Sequence, residues 1–377
     1  MSESTTKEKP ANAPPPLYRP DPRFREPFNA DTCIRFLDLI PFSPPFLLII
    51  PALVAFHSQR VRGVSLLAPL GDALQLNWQN ISAAAKLFYK EYKWAAYAMG
   101  FIVVKTLNRA LTRIVQNNGH YRGAKMYWDR EVAVVTGGSN GIGKEIAVLL
   151  AEKTKHPVAV LDVAPMSYSH PNVRYYKTDV GDEASFAATA ERIRADIGNP
   201  TIVVNNAGIA IGRQVVDTPA DAMLRVMKVN TFSHVYSAKQ FVPSMIANNH
   251  GHIVTVASSA SYMALPNLST YAMSKAAALA FHEVLRGELR SRPPFPTNVR
   301  HTIVCPTKVA TMLGANLADH PNPFLTPTLL PETVARRIVK SVENGLGEHL
   351  MLPLYTEILP SMRAVPSWMK RLLELVS

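Results

Sequence analysis

From Glu131 onward, short β-branched runs alternate with stretches of helical periodicity. The runs are Val132–Val135, Val158–Leu161, Val173–Tyr176, Ile202–Val204, His252–Val256 and Val299–Val304. Strands this apolar, separated by helices, predict a parallel sheet covered on both faces. The fold class expected for residues 129–350 is therefore α/β, a doubly wound parallel sheet of Rossmann type. No internal repeat is apparent.

Upstream the pattern is different. Residues 36–56 are mostly apolar, but Asp38 and the prolines at 41, 44, 45 and 51 interrupt them. A clean membrane span needs about 20 apolar residues. A re-entrant or interfacial segment, a span, or a loop packed on the main domain all remain open here. Residues 94–104 form a second apolar run, too short to span alone, which continues into an amphipathic pattern. Lys105, Arg109 and Arg113 share one helix face, with Leu107, Leu111 and Ile114 opposite. With Trp94 and Tyr97 as interfacial anchors, this predicts a helix lying in a membrane interface. The alternative is an ordinary packed helix with a solvated basic face. Residues 351–377 mix apolar side chains with Arg363, Lys370 and Arg371 and suggest a second amphipathic membrane contact. The chain is thus expected to divide into a disordered proline-rich tail (1–30), a membrane-associated region (31–128), the α/β domain (129–350) and a C-terminal amphipathic segment (351–377).

Composition narrows the class of partner. Only 18% of the 377 residues are charged, below the ~25% of an ordinary soluble domain. The net charge of +12 is uneven: residues 1–130 hold 17 Lys and Arg against 9 acidic residues, whereas 131–359 hold 20 against 18. A nucleic-acid enzyme would concentrate basic residues on its working domain. Basic ends beside apolar stretches instead fit anionic lipid head groups. Two cysteines, Cys33 and Cys305, make neither a disulfide framework nor a zinc site. The first thirty residues lack the apolar core of a secretory leader.

The candidate chemistry begins where the first strand ends. Thr136-Gly137-Gly138-Ser139-Asn140-Gly141-Ile142-Gly143 runs into a helical pattern through Leu150. Glycines permit a tight turn and close approach of backbone to a pyrophosphate, and the helix N-terminus offers free N–H groups and a positive dipole. A glycine-rich turn without a ligand is the plainer alternative. Asp162, ending the second strand, can accept hydrogen bonds from adenosine ribose hydroxyls and would repel a 2′-phosphate. With no cation at 163 or in the glycine turn, this favours NAD over NADP. Thr178-Asp179-Val180 ends the third strand and can meet the adenine. Asn205-Asn206-Ala207-Gly208 ends the fourth, its small residues leaving room for a flat cofactor.

Tyr271 and Lys275 stand one turn apart on a helix face. A nearby ammonium favours the phenolate and lowers a tyrosine pKa from about 10, toward a working pH for proton transfer. Ser258, after the fifth strand, can hold a substrate oxygen. Asn230 can hold a water beside Lys275. His250 and His252 read as a turn before a strand rather than a metal pair, because the other ligands of a zinc site are missing.

In this order, Thr-Gly-x-x-x-Gly-x-Gly, Asn-Asn-Ala-Gly, Asn, Ser and Tyr-x-x-x-Lys resemble the short-chain dehydrogenase/reductases over about residues 129–345. The resemblance implies Tyr271 as catalytic acid/base, Lys275 as the group that lowers its pKa and binds the nicotinamide ribose, Ser258 as polariser of the reacting oxygen and Asn230 as holder of a relay water. It implies Gly137, Ser139, Ile142 and Gly143 at the phosphates, Asp162 at the ribose, Asp179 and Val180 at the adenine, and Asn206 and Gly208 against the cofactor. Val309 and Thr311 match the family's Pro-Gly-x-Val-x-Thr run and imply contact with the nicotinamide carboxamide, while Thr307 replaces its glycine. No metal is implied.

Asn249 to Ser259, Phe281-His282-Glu283 and Val304-Cys305-Pro306 look like the membrane-anchored retinol and 17β-hydroxysteroid dehydrogenase branch. That branch implies NAD(P)-dependent oxidation or reduction of a lipophilic alcohol or ketone, on the endoplasmic reticulum or lipid droplets, with the catalytic domain in the cytosol. The wider family often pairs its subunits, so the resemblance to it allows a homodimer. An NADPH-dependent ketoreductase and a nucleotide-binding membrane scaffold are the competing readings. Residues 312–331, apolar and proline-rich (Leu313, Leu317, Phe324, Leu325, Leu329), are expected to cover a greasy substrate.

Overall fold

The computed structural model describes residues 29–39, 43–62, 86, 88–90, 92–263, 265–293, 295, 297–315, 322, 324 and 326–368. Residues 1–28 of the expected disordered tail, and Leu317 and Leu325 of the expected cover, lie outside these. The chain separates into two units, 29–115 and a larger one from 116 to the C-terminus.

The larger unit is organised by seven parallel strands: β1 (Ala133–Thr136), β2 (Val158–Asp162), β3 (Val173–Lys177), β4 (Ile202–Asn205), β5 (Gly251–Val256), β6 (Val299–Pro306) and β7 (His349–Leu352). Their order is β3-β2-β1-β4-β5-β6-β7. Strands β1, β4, β5 and β6 are buried along their whole length, as their continuous β-branched runs require. One face is covered by α4 (Gly141–Ala151) and α9 (Pro331–Glu343), through Ile146, Leu150, Val334, Ile338 and Val342. The other carries Phe186 of α5 (Glu183–Asp196), Phe241 and Met245 of α7 (Ser233–Ala247) and Leu289 of α8 (Ser269–Arg290). Local signals set several ends. Asp182 caps α5 by accepting from Ser185 N at 3.0 Å. Pro331 starts α9, where its missing N–H is harmless. The direction of strand order reverses between β1 and β4, which opens a crevice beyond their C-terminal ends.

Two features depart from the sequence reading. Strand β7 is not among the predicted runs. It is only four residues long and starts with His349, so its periodicity is weak. It pairs with β6 from Ile303↔His349 to Pro306↔Leu352. The expected amphipathic segment from 351 therefore begins inside the sheet, and a 3-10 stretch, Leu354–Ala364, follows it. Leu359 and Met362 pack with Ala257, Cys305 and Met351, and Arg363 donates to Ser261 O at 2.6 Å. Over 351–364 these residues cover the sheet of their own unit.

The smaller unit holds α1 (Ala30–Leu39), α2 (Phe46–Arg62) and α3 (Lys93–Gln116, whose last residue counts with the larger unit). The basic face of α3 has a partner within the unit, the Asp38 carboxylate of α1. Arg109 Nη2 donates to both Asp38 oxygens at 2.9 and 3.0 Å, and Lys105 forms an ion pair with the same carboxylate. Burial alone would raise the Asp38 pKa, but these two cations outweigh it and hold the carboxyl below its ordinary value. Besides polar positions such as Lys93, Asn108 and Arg109, α3 exposes an apolar stripe: Trp94, Tyr97, Phe101, Val104, Leu107, Leu111 and Val115. Among the described residues, no helix is long and apolar enough to cross a membrane. Helix α2 has 17 residues with Pro51 inside it.

A layer of histidines lies buried in the larger unit. His234, His252, His282 and His301 are at most 4% exposed. His252 and His282 each have one ring nitrogen on a threonine hydroxyl, Thr302 at 2.8 Å and Thr255 at 2.9 Å. Burial pushes His234, His252 and His301 down to about 3, and His282 well below its ordinary value. These depressed pKa values favour the neutral rings of the folded state. Their contribution is present above about pH 6.5 and lost as protons bind the unfolded chain below it, by up to about 1.4 kcal/mol per group per pH unit. His250 acts oppositely, because its hydrogen bond to Glu131 raises its pKa. The melting temperature is expected to fall steadily from pH 7 to pH 5. A flat profile over that range, followed by calorimetry, would contradict the neutral layer.

Candidate active site

The crevice is built on the turn between β1 and α4. Gly137 (φ 66°) and Gly141 (φ 57°) take left-handed conformations that disfavour side chains. A Cβ on Gly137 would lie 2.8 Å from Ala207 Cα. A Cβ on Gly143 would overlap Gly137 O and come within 2.5 Å of Asn206 Nδ2. Asn140 precedes α4 in extended conformation, and its side chain makes no capping hydrogen bond. The first N–H groups of α4 thus keep no side-chain cap, the arrangement that suits an anion.

The ends of β1 and β4 are laced together. Thr136 Oγ1 accepts from Asn206 N (3.0 Å) and Ala207 N (3.1 Å). Asn206 Nδ2 donates to Thr136 O (3.0 Å) and Gly137 O (3.1 Å). Asp162 accepts from Ser139 N and Ala164 N, both at 3.0 Å. Asp179 accepts from Gly181 N at 2.9 Å and pairs with Arg225 Nη1 at 2.8 Å. Burial would raise the Asp179 pKa, yet the Arg225 guanidinium and the backbone N–H hold it low.

On the other side of the crevice, Ser258 follows β5. Its Oγ accepts from Ala260 N at 3.2 Å. Tyr271 lies in the first turn of α8 and Lys275 one turn on. Lys275 is 3% exposed. Its Nζ donates to Val256 O at 2.8 Å and sits 5.9 Å from the centre of the Tyr271 ring. Asn230 lies in a π-helical turn (Lys228–Phe232) between α6 (Ala220–Met227) and α7. Its Oδ1 accepts from Ile209 N at 2.8 Å. Its Nδ2 donates to Ile209 O and to Ser274 Oγ, each at 2.9 Å. Gly208 separates the two groups: a Cβ there would stand 3.4 Å from Lys275 Nζ and 3.5 Å from Asn230 Oδ1.

One cavity of about 570 Å³ joins these parts. Of the residues expected from the sequence, Gly137, Ile142, Asp162, Asp179, Val180, Asn206, Gly208, Ser258, Tyr271, Lys275, Val309 and Thr311 line it. Ser139, Gly143 and Asn230 do not. Ser139 is buried and donates its hydroxyl to Ala164 O at 2.8 Å. Gly143 serves the packing of the turn, and Asn230 braces the segment behind Gly208. The cavity also takes walls beyond those site residues. Asn140 and Gly141 lie within the glycine run and were legible there. Met312 and Leu313 come from the start of the segment expected to cover the substrate, whereas Arg225, Leu265 and Leu268 are brought in by the fold from stretches with no local signal.

The titration of Tyr271 corrects an expectation. The spacing predicts a lowered pKa from Lys275. Instead, burial raises it, and a hydrogen bond with Ser258 only partly offsets this. Burial also pushes Lys275 down to about 8. Desolvation thus drives both groups toward their neutral forms.

A family model for short chain dehydrogenases matches residues 131–322. Dehydrogenase RED2 of Cochliobolus heterostrophus is 42% identical over 168 residues, 44% of this chain and 63% of that protein, so the chain matches less than two thirds of that relative. Human estradiol 17-beta-dehydrogenase 11 is 32% identical over 252 residues, 64% of this chain and 79% of that protein. A short chain dehydrogenase from Burkholderia cenocepacia, solved with NADP, shares the fold at a TM-score of 0.55 and 24% identity, over 67% of this chain and 99% of that one. The seven-stranded sheet with its glycine turn at the reversal point defines a Rossmann-type dehydrogenase fold. The chain belongs to the short-chain dehydrogenase family, and its likeness to a 17β-hydroxysteroid dehydrogenase agrees with the branch that its motifs resemble.

Gly143→Ala should remove about 1–3 kcal/mol of stability, the usual cost of overpacking, because the added methyl displaces either Gly137 O or the Asn206 amide. Denaturant unfolding measures this, and an unchanged midpoint would mean that the turn has slack the geometry does not show.

Proposed function

We propose that the chain is an NAD-dependent oxidoreductase that transfers a hydride between the nicotinamide cofactor and a lipophilic alcohol or ketone. The observation that carries this reading is that Ser258, Tyr271 and Lys275 line the same cavity as the glycine turn. The residues present suit a dinucleotide: left-handed glycines, an uncapped helix start, and a glycine at 208 that leaves space beside Lys275. A bound nicotinamide supplies the site that takes or gives the hydride.

The protein's share is proton handling and orientation. In oxidation, Tyr271 acts as its phenolate and accepts the proton of the substrate hydroxyl, and Ser258 holds the substrate oxygen. Lys275, as its ammonium, would donate to the ribose hydroxyls of a bound cofactor and favours the phenolate form of Tyr271. Asn230 keeps the Ile209 segment in place and holds a water beside Lys275. Asp162 accepts from the adenosine ribose and disfavours a 2′-phosphate by charge. Leu265, Leu268, Met312 and Leu313 give the cavity an apolar end, which supports a lipophilic substrate.

The exposed apolar stripe of α3 supports a place on a membrane surface, of the endoplasmic reticulum or a lipid droplet. Trp94 and Phe101, 75% and 56% exposed, lie at one end of it, and Leu107 and Leu111 at the other. Burying such side chains in the acyl boundary contributes about 1.5–3 kcal/mol each.

Tyr271→Phe is expected to lower turnover at least about a hundredfold while NADH still quenches intrinsic fluorescence with near wild-type affinity. Retained turnover with a hydrophobic secondary alcohol would remove the mechanism. The full chain is also expected to float with phosphatidylcholine/phosphatidylserine vesicles. Serine at Trp94, Phe101, Leu107 and Leu111 together should reduce the bound fraction more than about tenfold. Equal flotation of both proteins would remove α3 from the membrane contact.

A further inference from the structure

We propose that Arg225 forms the adenosine wall of the crevice, its guanidinium held in place by Asp179 so that an adenine ring stacks on its planar face. This rests on the dinucleotide reading above and goes beyond it, because no sequence motif marks this arginine. The sheet order divides the crevice. Ser258, Tyr271 and Lys275 stand beyond β5, on one side of the glycine turn. Asp162 and Asp179 stand beyond β2 and β3, on the other. The reacting half and the adenosine half are therefore assigned by topology. Arg225 enters the second half from α6, which follows β4 in the chain.

One ion pair fixes the guanidinium there: its Nη1 lies 2.8 Å from Asp179 Oδ2. A Cβ on Gly181 would come within 2.9 Å of the same nitrogen, so the group lies close over a glycine that cannot obstruct it. The Arg225 side chain nevertheless keeps 44% of its surface exposed, and the residue lines the cavity.

A guanidinium is planar and weakly hydrated, and it stacks on aromatic faces. One already held by a carboxylate loses little further freedom when a ring settles on it. Asp179 meanwhile has one oxygen engaged by Gly181 N and the other by Arg225. Its carboxylate is spent mainly on positioning the arginine, and its charge is balanced where a dinucleotide would otherwise meet two carboxylates. The alternative for a cation at this end is a 2′-phosphate, a contact that the Asp179 pair and the nearby Asp162 carboxylate oppose.

The test measures dissociation constants by fluorescence for NADH, NADPH, ADP-ribose and reduced nicotinamide mononucleotide, which lacks the adenosine. Arg225→Ala should weaken NADH and ADP-ribose about fivefold and leave the mononucleotide within about twofold. Arg225→Lys keeps the charge but not the flat face, and its NADH affinity should fall near that of the alanine variant. Four results would overturn the proposal: unchanged NADH affinity in Arg225→Ala, equal weakening of the mononucleotide, wild-type affinity in Arg225→Lys, or weakening confined to NADPH, which would assign the arginine to a phosphate. Failure of the wild-type chain to bind either NADH or ADP-ribose would defeat the dinucleotide reading itself, whatever Arg225 does.

Discussion

The structure depends on the hydrogen bonds that join the ends of β1 and β4. These two neighbouring strands pair along their length, and the chain beyond their ends leaves in opposite directions, which would leave backbone groups unpaired at the point of divergence. Thr136 and Asn206 take up those groups: the hydroxyl accepts from two successive N–H groups, and the amide donates to two carbonyls. Buried polar groups without partners are costly, so this exchange fixes the distance between the glycine turn and the Asn206–Gly208 segment. Everything that lines the crevice is referred to that frame.

Burial sets the electrostatics of the site more than pairwise attraction does. The same desolvation acts on Tyr271, Lys275, Cys305 and the core histidines. Each is shifted toward its neutral form, Cys305 up to about 12. Even so, a lysine near 8 remains mostly charged at neutral pH, so desolvation weakens the Lys275 charge without removing it.

The sheet was legible because its strands are continuous β-branched runs, and the glycine turn because strand, glycines and helix are adjacent in the chain. Ser258, Tyr271 and Lys275 were legible as motif residues, and the fold brings them to one wall. Arg225 was not legible, because its role comes from a partner on a different strand, and no short-range pattern encodes that pairing. The basic face of α3 illustrates the same limit. Periodicity correctly groups Lys105 with Arg109, but only the fold reveals that Asp38 occupies that face and leaves the apolar stripe outside. Strand β7 escaped because four residues carry too little alternation.

The π-helical turn at 228–232 carries a consequence of its own. Such a turn holds one residue more than an α-helix would use over the same rise. That surplus lets the segment from α6 to α7 change its angular register without breaking. Shortening the chain there by one residue would restore a regular helix, leave the flanking helices in register and remove the outward step that places Asn230. Asn230 would then lose Ile209 and Ser274 together, and the wall behind Gly208 would come apart although every crevice residue remained in the sequence. In this stretch, spacing along the chain is as much a part of the site as the identity of the side chains.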